Sequence, residues 1–234
     1  MMSTDATRRY FSLAGAVAIM LTGTALWITH RVAPLPHPAP VLRDYGMVPA
    51  FALVDSQRQP VTRERLSGSV WIADFIFTRC AGQCPMMSMQ MAAVSEAFRY
   101  TPDVRFISFT VDPIYDTPEV LAAYASRYGA HTQRWQFVTD AGTPHVAHQE
   151  RGRGGNPGAE GEGVTGPMTT VTQLAEEGFH LGVAQEGSAQ EPITHSVRLV
   201  LVDRGSHIRG YYDATDAHAI TQLHADVEQL LRSS

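Results

Sequence analysis

The chain has 234 residues, room for one domain of ordinary size plus an extra segment. Its apolar content of 44% is that of a globular protein. Net charge is −5, and the 18 basic residues, all Arg, are scattered with no basic run or basic–aromatic stripe, so nucleic acid is excluded as a partner by the lack of an electrostatic footprint.

In chain order, the first feature is Arg8-Arg9 followed by Tyr10 to Ile28, nineteen residues without a charge. As a helix this run reaches roughly 28 Å, about one hydrocarbon thickness. Thr7-Arg8-Arg9-Tyr10-Phe11 has the look of a twin-arginine export signal. Ala-x-Ala spacing falls only early in the run, at Ala14 and Ala16, so an uncleaved signal anchor is expected over a removed signal. The expected organisation is a cytoplasmic N-terminus over residues 1–9, a transmembrane anchor over 10–29, a stiff Pro-rich linker over 30–43, and a folded domain over 44–234. The domain is then held at the inner (cytoplasmic) membrane on its periplasmic, extracytoplasmic side, under oxidising conditions.

Within the domain, Phe51–Asp55 reads as a short strand and Gln57-Arg58-Gln59 as a turn. Val70–Phe77 reads as a buried strand holding one acid, Asp74. From Pro85 to Tyr100 the pattern is helical, with Met87, Met91, Val94 and Phe98 forming a core-facing stripe. Val104–Val111 is a second apolar strand, and Thr117-Pro118-Glu119 opens a helix whose apolar face is Leu121, Tyr124, Ala125 and Tyr128, ended by Gly129. Gln136–Val138 is a short strand. Residues 151–167, rich in Gly with Pro and Glu, read as a mobile loop. Val171–Glu177 reads as a short helix, Phe179–Val183 as a strand, Val197–Val202 and His207–Tyr212 as a hairpin, and Ala217–Leu231 as a last amphipathic helix with Ile220, Leu223, Val227, Leu230 and Leu231 inward. Alternating strands and helices closed by a hairpin and a helix predict an α/β sandwich with a central mixed sheet flanked by helices.

The chemistry concentrates at the only two cysteines, Cys80 and Cys84, where the buried strand gives way to a helix. A helix N-terminus offers free N–H groups and a positive dipole end, which favour thiolate. Two sulfurs on one side of such a junction can exchange with a disulfide or hold a soft ion, Cu(I) above all. Met86, Met87, Met89 and Met91 crowd the helix that follows; Met87 and Met91 fit the core stripe, while Met86 and Met89 are candidates for exposed thioethers. His145 with His148, and His218 with His224, carry no paired ligand signal beyond their spacing.

Asp74-Phe-Ile-Phe-Thr-Arg-Cys80-x-x-x-Cys84-Pro85 resembles the signature of the Sco (SenC) copper-chaperone family, within the thioredoxin-like superfamily. Val48–Asp55, Ser108–Pro113 followed by Asp116-Thr117-Pro118-Glu119, Arg134–Thr139 and Thr194-His195-Ser196 match further family segments in the same order. The resemblance implies a thioredoxin-like fold and a site for copper, Cu(I) or Cu(II), with Cys80, Cys84 and His195 as ligands. It also implies partners: the copper-centre subunit of a cytochrome c oxidase and a thiol reductant of thioredoxin type. It sets Asp112 near the site, and Asp74 at the offset where thioredoxins keep a buried acid that assists the second cysteine. The chain departs from the family in the length of residues 140–192, which leaves the path into His195 open. Three functions stay in view at this point: a metallochaperone, a thiol-disulfide oxidoreductase in which Cys80 and Cys84 are the catalytic pair, and a redox or copper sensor.

Overall fold

The computed structural model describes Met20 and residues 41–130, 133–140, 170–181, 183–184 and 194–233, with backbone alone at 183–184 and 194–195. The expected anchor apart from Met20, the first part of the linker, the Gly-rich stretch 151–167, His145 and His148 lie outside the described residues. Among the described residues no helix is long and apolar enough to cross a membrane. The folded unit spans Val41–Ser234.

Its strands are β1 (Ala52–Asp55), β2 (Pro60–Thr62), β3 (Val70–Ile76), β4 (Val104–Thr110), β5 (Trp135–Thr139), β6 (Val183–Ala184), β7 (Thr194–His195), β8 (Arg198–Val202) and β9 (Ile208–Asp213). Helix α1 (Arg63–Leu66) is a single turn; α2 (Gln83–Ala97), α3 (Pro118–Arg127) and α5 (Ala217–Arg232) are the long ones; α4 (Val171–Gln173) runs on into a π-helical turn, Leu174–Gly178. Seven strands make one sheet in the order β2-β1-β5-β4-β3-β8-β9, and β6 pairs with β7 apart from it. β3, β4 and β5 are parallel to one another, whereas β1 joins β5, and β8 joins β3, antiparallel. The mixed sheet with flanking helices matches the expectation from element order.

β3 is central and every residue of it is buried, which is why its sequence runs apolar without alternation. Successive side chains still point to opposite faces. Trp71 and Phe75 reach the face where Phe179 sits, with ring centroids 5.9 and 5.2 Å away, and Phe109 of β4 stacks on Phe75 at 5.1 Å. Ile72, Asp74 and Ile76 therefore point the other way. Helix α2 packs on β4 and β8, and its end meets α5 where Phe98 stacks on His224 at 5.3 Å. The stripe Met87, Met91, Val94 and Phe98 is buried, with Leu121, Tyr124 and Ala125 of α3. A hydrogen bond of 3.0 Å between the Ser88 and Tyr124 hydroxyls ties α2 to α3.

Gly129 closes α3 as expected, at φ +65°: its N–H donates to the Ser126 carbonyl and that of Ala130 to the Ala125 carbonyl. The expected strand from Phe179 to Val183 is confined to Val183–Ala184. Phe179 has given its side chain to the aromatic cluster, and His180 at φ 53° turns the backbone out of extended geometry.

Candidate thiol and metal site

Where β3 ends, Phe77 to Cys80 form a tight turn in which the Cys80 N–H donates to the Phe77 carbonyl at 3.2 Å. Helix α2 then starts at Gln83 behind Gly82, a cap residue with no side chain to offer. The cap is supplied by sulfur: Cys84 N–H donates to Cys80 Sγ at 3.4 Å. Pro85, third in the helix, lacks a donor where donors go unused anyway. The two cysteines are not joined in a disulfide; Cys80 is half-buried and Cys84 is fully buried.

This burial divides the pair. The helix dipole leads one to expect thiolate at both sulfurs, but for Cys84 desolvation dominates and pushes its thiol well above the ordinary range. A backbone hydrogen bond at Phe77 opposes the shift, while Cys80 and Asp74 add to it. Cys80, whose sulfur receives the helix N–H, is the sulfur an incoming group meets first.

Asp74 is fully buried on the α2 face of β3, and neither carboxylate oxygen has a hydrogen-bond partner among the described residues. Desolvation raises its pKa to about 7. Ser108, its register partner on β4, softens this electrostatically but is not in hydrogen-bond geometry; its hydroxyl accepts from Trp135 Nε1 at 2.9 Å. Asp74 adds to the cost of ionising Cys84, so the acid stands within electrostatic reach of the buried thiol.

Asp112 lies in the loop after β4, with only 11% of its side chain exposed, and accepts from Arg79 at 2.6 Å. Arg79 also stands over the Tyr115 ring at 4.2 Å. Asp112 thus holds the residue next to Cys80. Sequence reasoning gave no role to Arg79, Tyr115, Thr78 or Asp116. The signal for Asp116 was an acid directly before Thr117, the residue that caps α3, leaving it free of capping duty.

His195 is placed by backbone alone. The antiparallel register of β8 on β3, with Ala73 opposite Val200, brings the start of β8 to the end of β3 where the Cys80 turn leaves. His195 comes three residues before β8, in β7, opposite Val183. Its side chain is outside the described residues. Among the described residues no group of three His, Cys, Asp or Glu side chains is arranged to hold a metal ion. Met89 is 58% exposed, while Met86 is half-buried against the core. His224 is taken up by its stacking on Phe98, apart from the exposed His218.

A family model described as SCO1/SenC matches residues 42–142, a segment that contains both cysteines, Asp74 and Asp112 and stops short of His195. A SCO1 protein homolog of Bacillus subtilis is 39% identical over 93 residues, covering 39% of this chain and about half, 48%, of that relative's length. Among solved structures, BsSco of Bacillus subtilis, described as a member of the Sco family of cytochrome c oxidase assembly proteins with a disulfide switch, superposes with a TM-score of 0.60 at 24% identity, over 80% of this chain and 94% of that one. ScoI of Bradyrhizobium japonicum with copper bound superposes with a TM-score of 0.56 at 17% identity, over 79% and 99%. At these identities the superpositions speak for the fold. Over residues 42–142, the segment that carries the cysteine pair, this chain is thus similar to the SCO1/SenC family, and its fold is that of the solved Sco structures.

Proposed function

We propose that the chain is a membrane-anchored copper metallochaperone that takes up copper on Cys80, Cys84 and His195 and delivers it to the copper centre of a respiratory cytochrome c oxidase subunit. The supporting observation is the placement of the pair: a half-buried Cys80 sulfur at the N-terminus of α2 beside a fully buried Cys84. Two thiolates suit the soft Cu(I) ion, and imidazole is a competent third ligand. The copper-bound ScoI, and the place of BsSco among cytochrome c oxidase assembly proteins, support the cargo and the destination. The apolar run Tyr10–Ile28 supports anchoring in the cytoplasmic membrane with the domain outside.

In this chemistry the chain's residues do four things. Cys80, at the surface of the junction, is the first to exchange with an incoming or departing ligand. Cys84 holds the ion on the buried side, away from water. Asp112 fixes Arg79, the residue before Cys80. His195 completes the set from the segment leading into β8. The test is an anaerobic Cu(I) titration of the reduced chain, with X-ray absorption to count sulfur and nitrogen ligands. One copper per chain is expected, with two sulfurs, and His195→Ala should weaken binding and remove the nitrogen. Unchanged affinity and ligand count in that variant would take His195 out of the site.

Asp74 favours a second reading, a thiol-disulfide oxidoreductase acting on the cysteines of the same oxidase site. A carboxyl of pKa about 7 within electrostatic reach of Cys84 can take that thiol's proton when a mixed disulfide on Cys80 is resolved. The attacking Cys84 sulfur forms the intramolecular bond, the substrate thiolate leaves, and a thioredoxin-type reductant restores the pair. Metal-free protein should then reduce a model disulfide stoichiometrically, and His195→Ala should not affect it; no reduction at any redox poise would sink this activity.

A further inference from the structure

Asp116 is completely buried in the loop between β4 and α3, yet it neither caps a helix nor pairs with a cation among the described residues. Its Oδ2 accepts from the Thr78 N–H at 2.9 Å and from the Thr110 hydroxyl at 2.5 Å, and its Oδ1 accepts from the Thr78 hydroxyl at 2.5 Å. Its own N–H donates to the Asp112 carbonyl at 2.9 Å. Thr110 is the last residue of β4, and Val111 N–H donates to the Ile76 carbonyl at 2.8 Å, so the acid is seated on the fixed ends of two adjacent strands. Thr78 and Arg79 are the two central residues of the turn from Phe77 to Cys80. One is held by Asp116 and the other by Asp112, both from the same loop.

We propose that Asp116 is a positioning residue for Cys80: through the N–H and hydroxyl of Thr78 it fixes the turn that sets the Cys80 sulfur against the first N–H groups of α2. Thr78 cannot rotate without breaking two bonds to a buried carboxylate, and such charge-assisted bonds are about twice as strong as neutral ones. The turn closes on the Phe77 carbonyl, and Cys80 Sγ then lies where the Cys84 N–H finds it. Without Asp116 the turn keeps its sequence but loses its fixed point, and the sulfur leaves the place at the start of α2 where the Cys84 N–H meets it. The role is the same whether the pair carries copper or electrons, so it is read on the metal-free thiol.

The experiment is the rate of Cys80 alkylation by iodoacetamide at pH 7 in the reduced, metal-free full-length chain, with the modified residue identified by peptide mass. Asp116→Ala and Thr78→Val should each slow it roughly fivefold, the size of a helix-terminus interaction. Asp116→Asn, whose amide can still accept from the Thr78 N–H and donate to its hydroxyl, should recover most of the rate. Tyr212→Phe, which removes a buried bond of 2.6 Å to Asp226 far along the chain, is the control for loosening alone and should react like the wild type. Rates unchanged in a folded Asp116→Ala and in Thr78→Val would overturn the proposal. So would an equal slowing in Tyr212→Phe. Should Asp116→Ala not fold, Thr78→Val and Asp116→Asn decide it. A chain that binds no copper leaves this test intact.

Discussion

Cys84→Ser is expected to cost the reduced chain more than the roughly 10- to 100-fold in Cu(I) affinity that loss of an outer partner costs a metal site. Cys84 is completely buried at the start of α2, so water has no ready access to replace its sulfur, and a hydroxyl is a poor donor to a soft ion. Competition against a chromophoric Cu(I) chelator measures this directly; a loss under tenfold would mean that Cys84 is not a ligand. The pH dependence has a definite sign. Burial holds the Cys84 thiol protonated across the neutral range, so copper must displace its proton. Affinity should therefore fall as pH is lowered, by up to about tenfold per unit for each proton released. In Cys84→Ser that slope should be shallower by one proton.

Asp74→Asn should raise stability at alkaline pH, an unusual direction for a change in the core. The folded-state pKa is about 7 against an ordinary 3.8. Below 3.8 both folded and unfolded chains carry the proton and the acid costs nothing. Between 3.8 and about 7 the unfolded chain ionises while the folded one does not, so stability falls as pH rises. Above about 7 the penalty is constant, on the order of 4 kcal/mol at about 1.4 kcal/mol per unit. Asparagine removes the ionisation and introduces a buried amide that costs about 1–3 kcal/mol if unpaired. Urea unfolding at pH 5 and pH 8 should show a net gain at pH 8 of roughly 1–3 kcal/mol and a flattened slope between the two. A variant with the wild-type slope would show that Asp74 does not titrate in this window. In the metal-free disulfide assay the same change should slow resolution, so that stability and thiol exchange move in opposite directions.

The composition of this chain and its apolar periodicities already implied the mixed sheet, the helix after the cysteines and its stripe of Met87, Met91, Val94 and Phe98, because side-chain period is a local property that burial then enforces. They failed at Phe179, whose place in an aromatic cluster with Trp71 and Phe75 is a long-range fact invisible in a short apolar run. At the site, the sequence alone determined the two sulfurs and the strand-to-helix junction that carries them. Resemblance added His195, Asp112 and Asp74. Only the tertiary structure decided that the sulfurs are unequal, with Cys80 capping the helix and Cys84 sunk in the core, because desolvation depends on what packs around a group and outweighs the helix terminus at Cys84. It alone decided that Thr78 and Arg79 are gripped by Asp116 and Asp112, residues some thirty to forty positions along the chain, which the parallel register of β3 and β4 brings to the same end of the sheet.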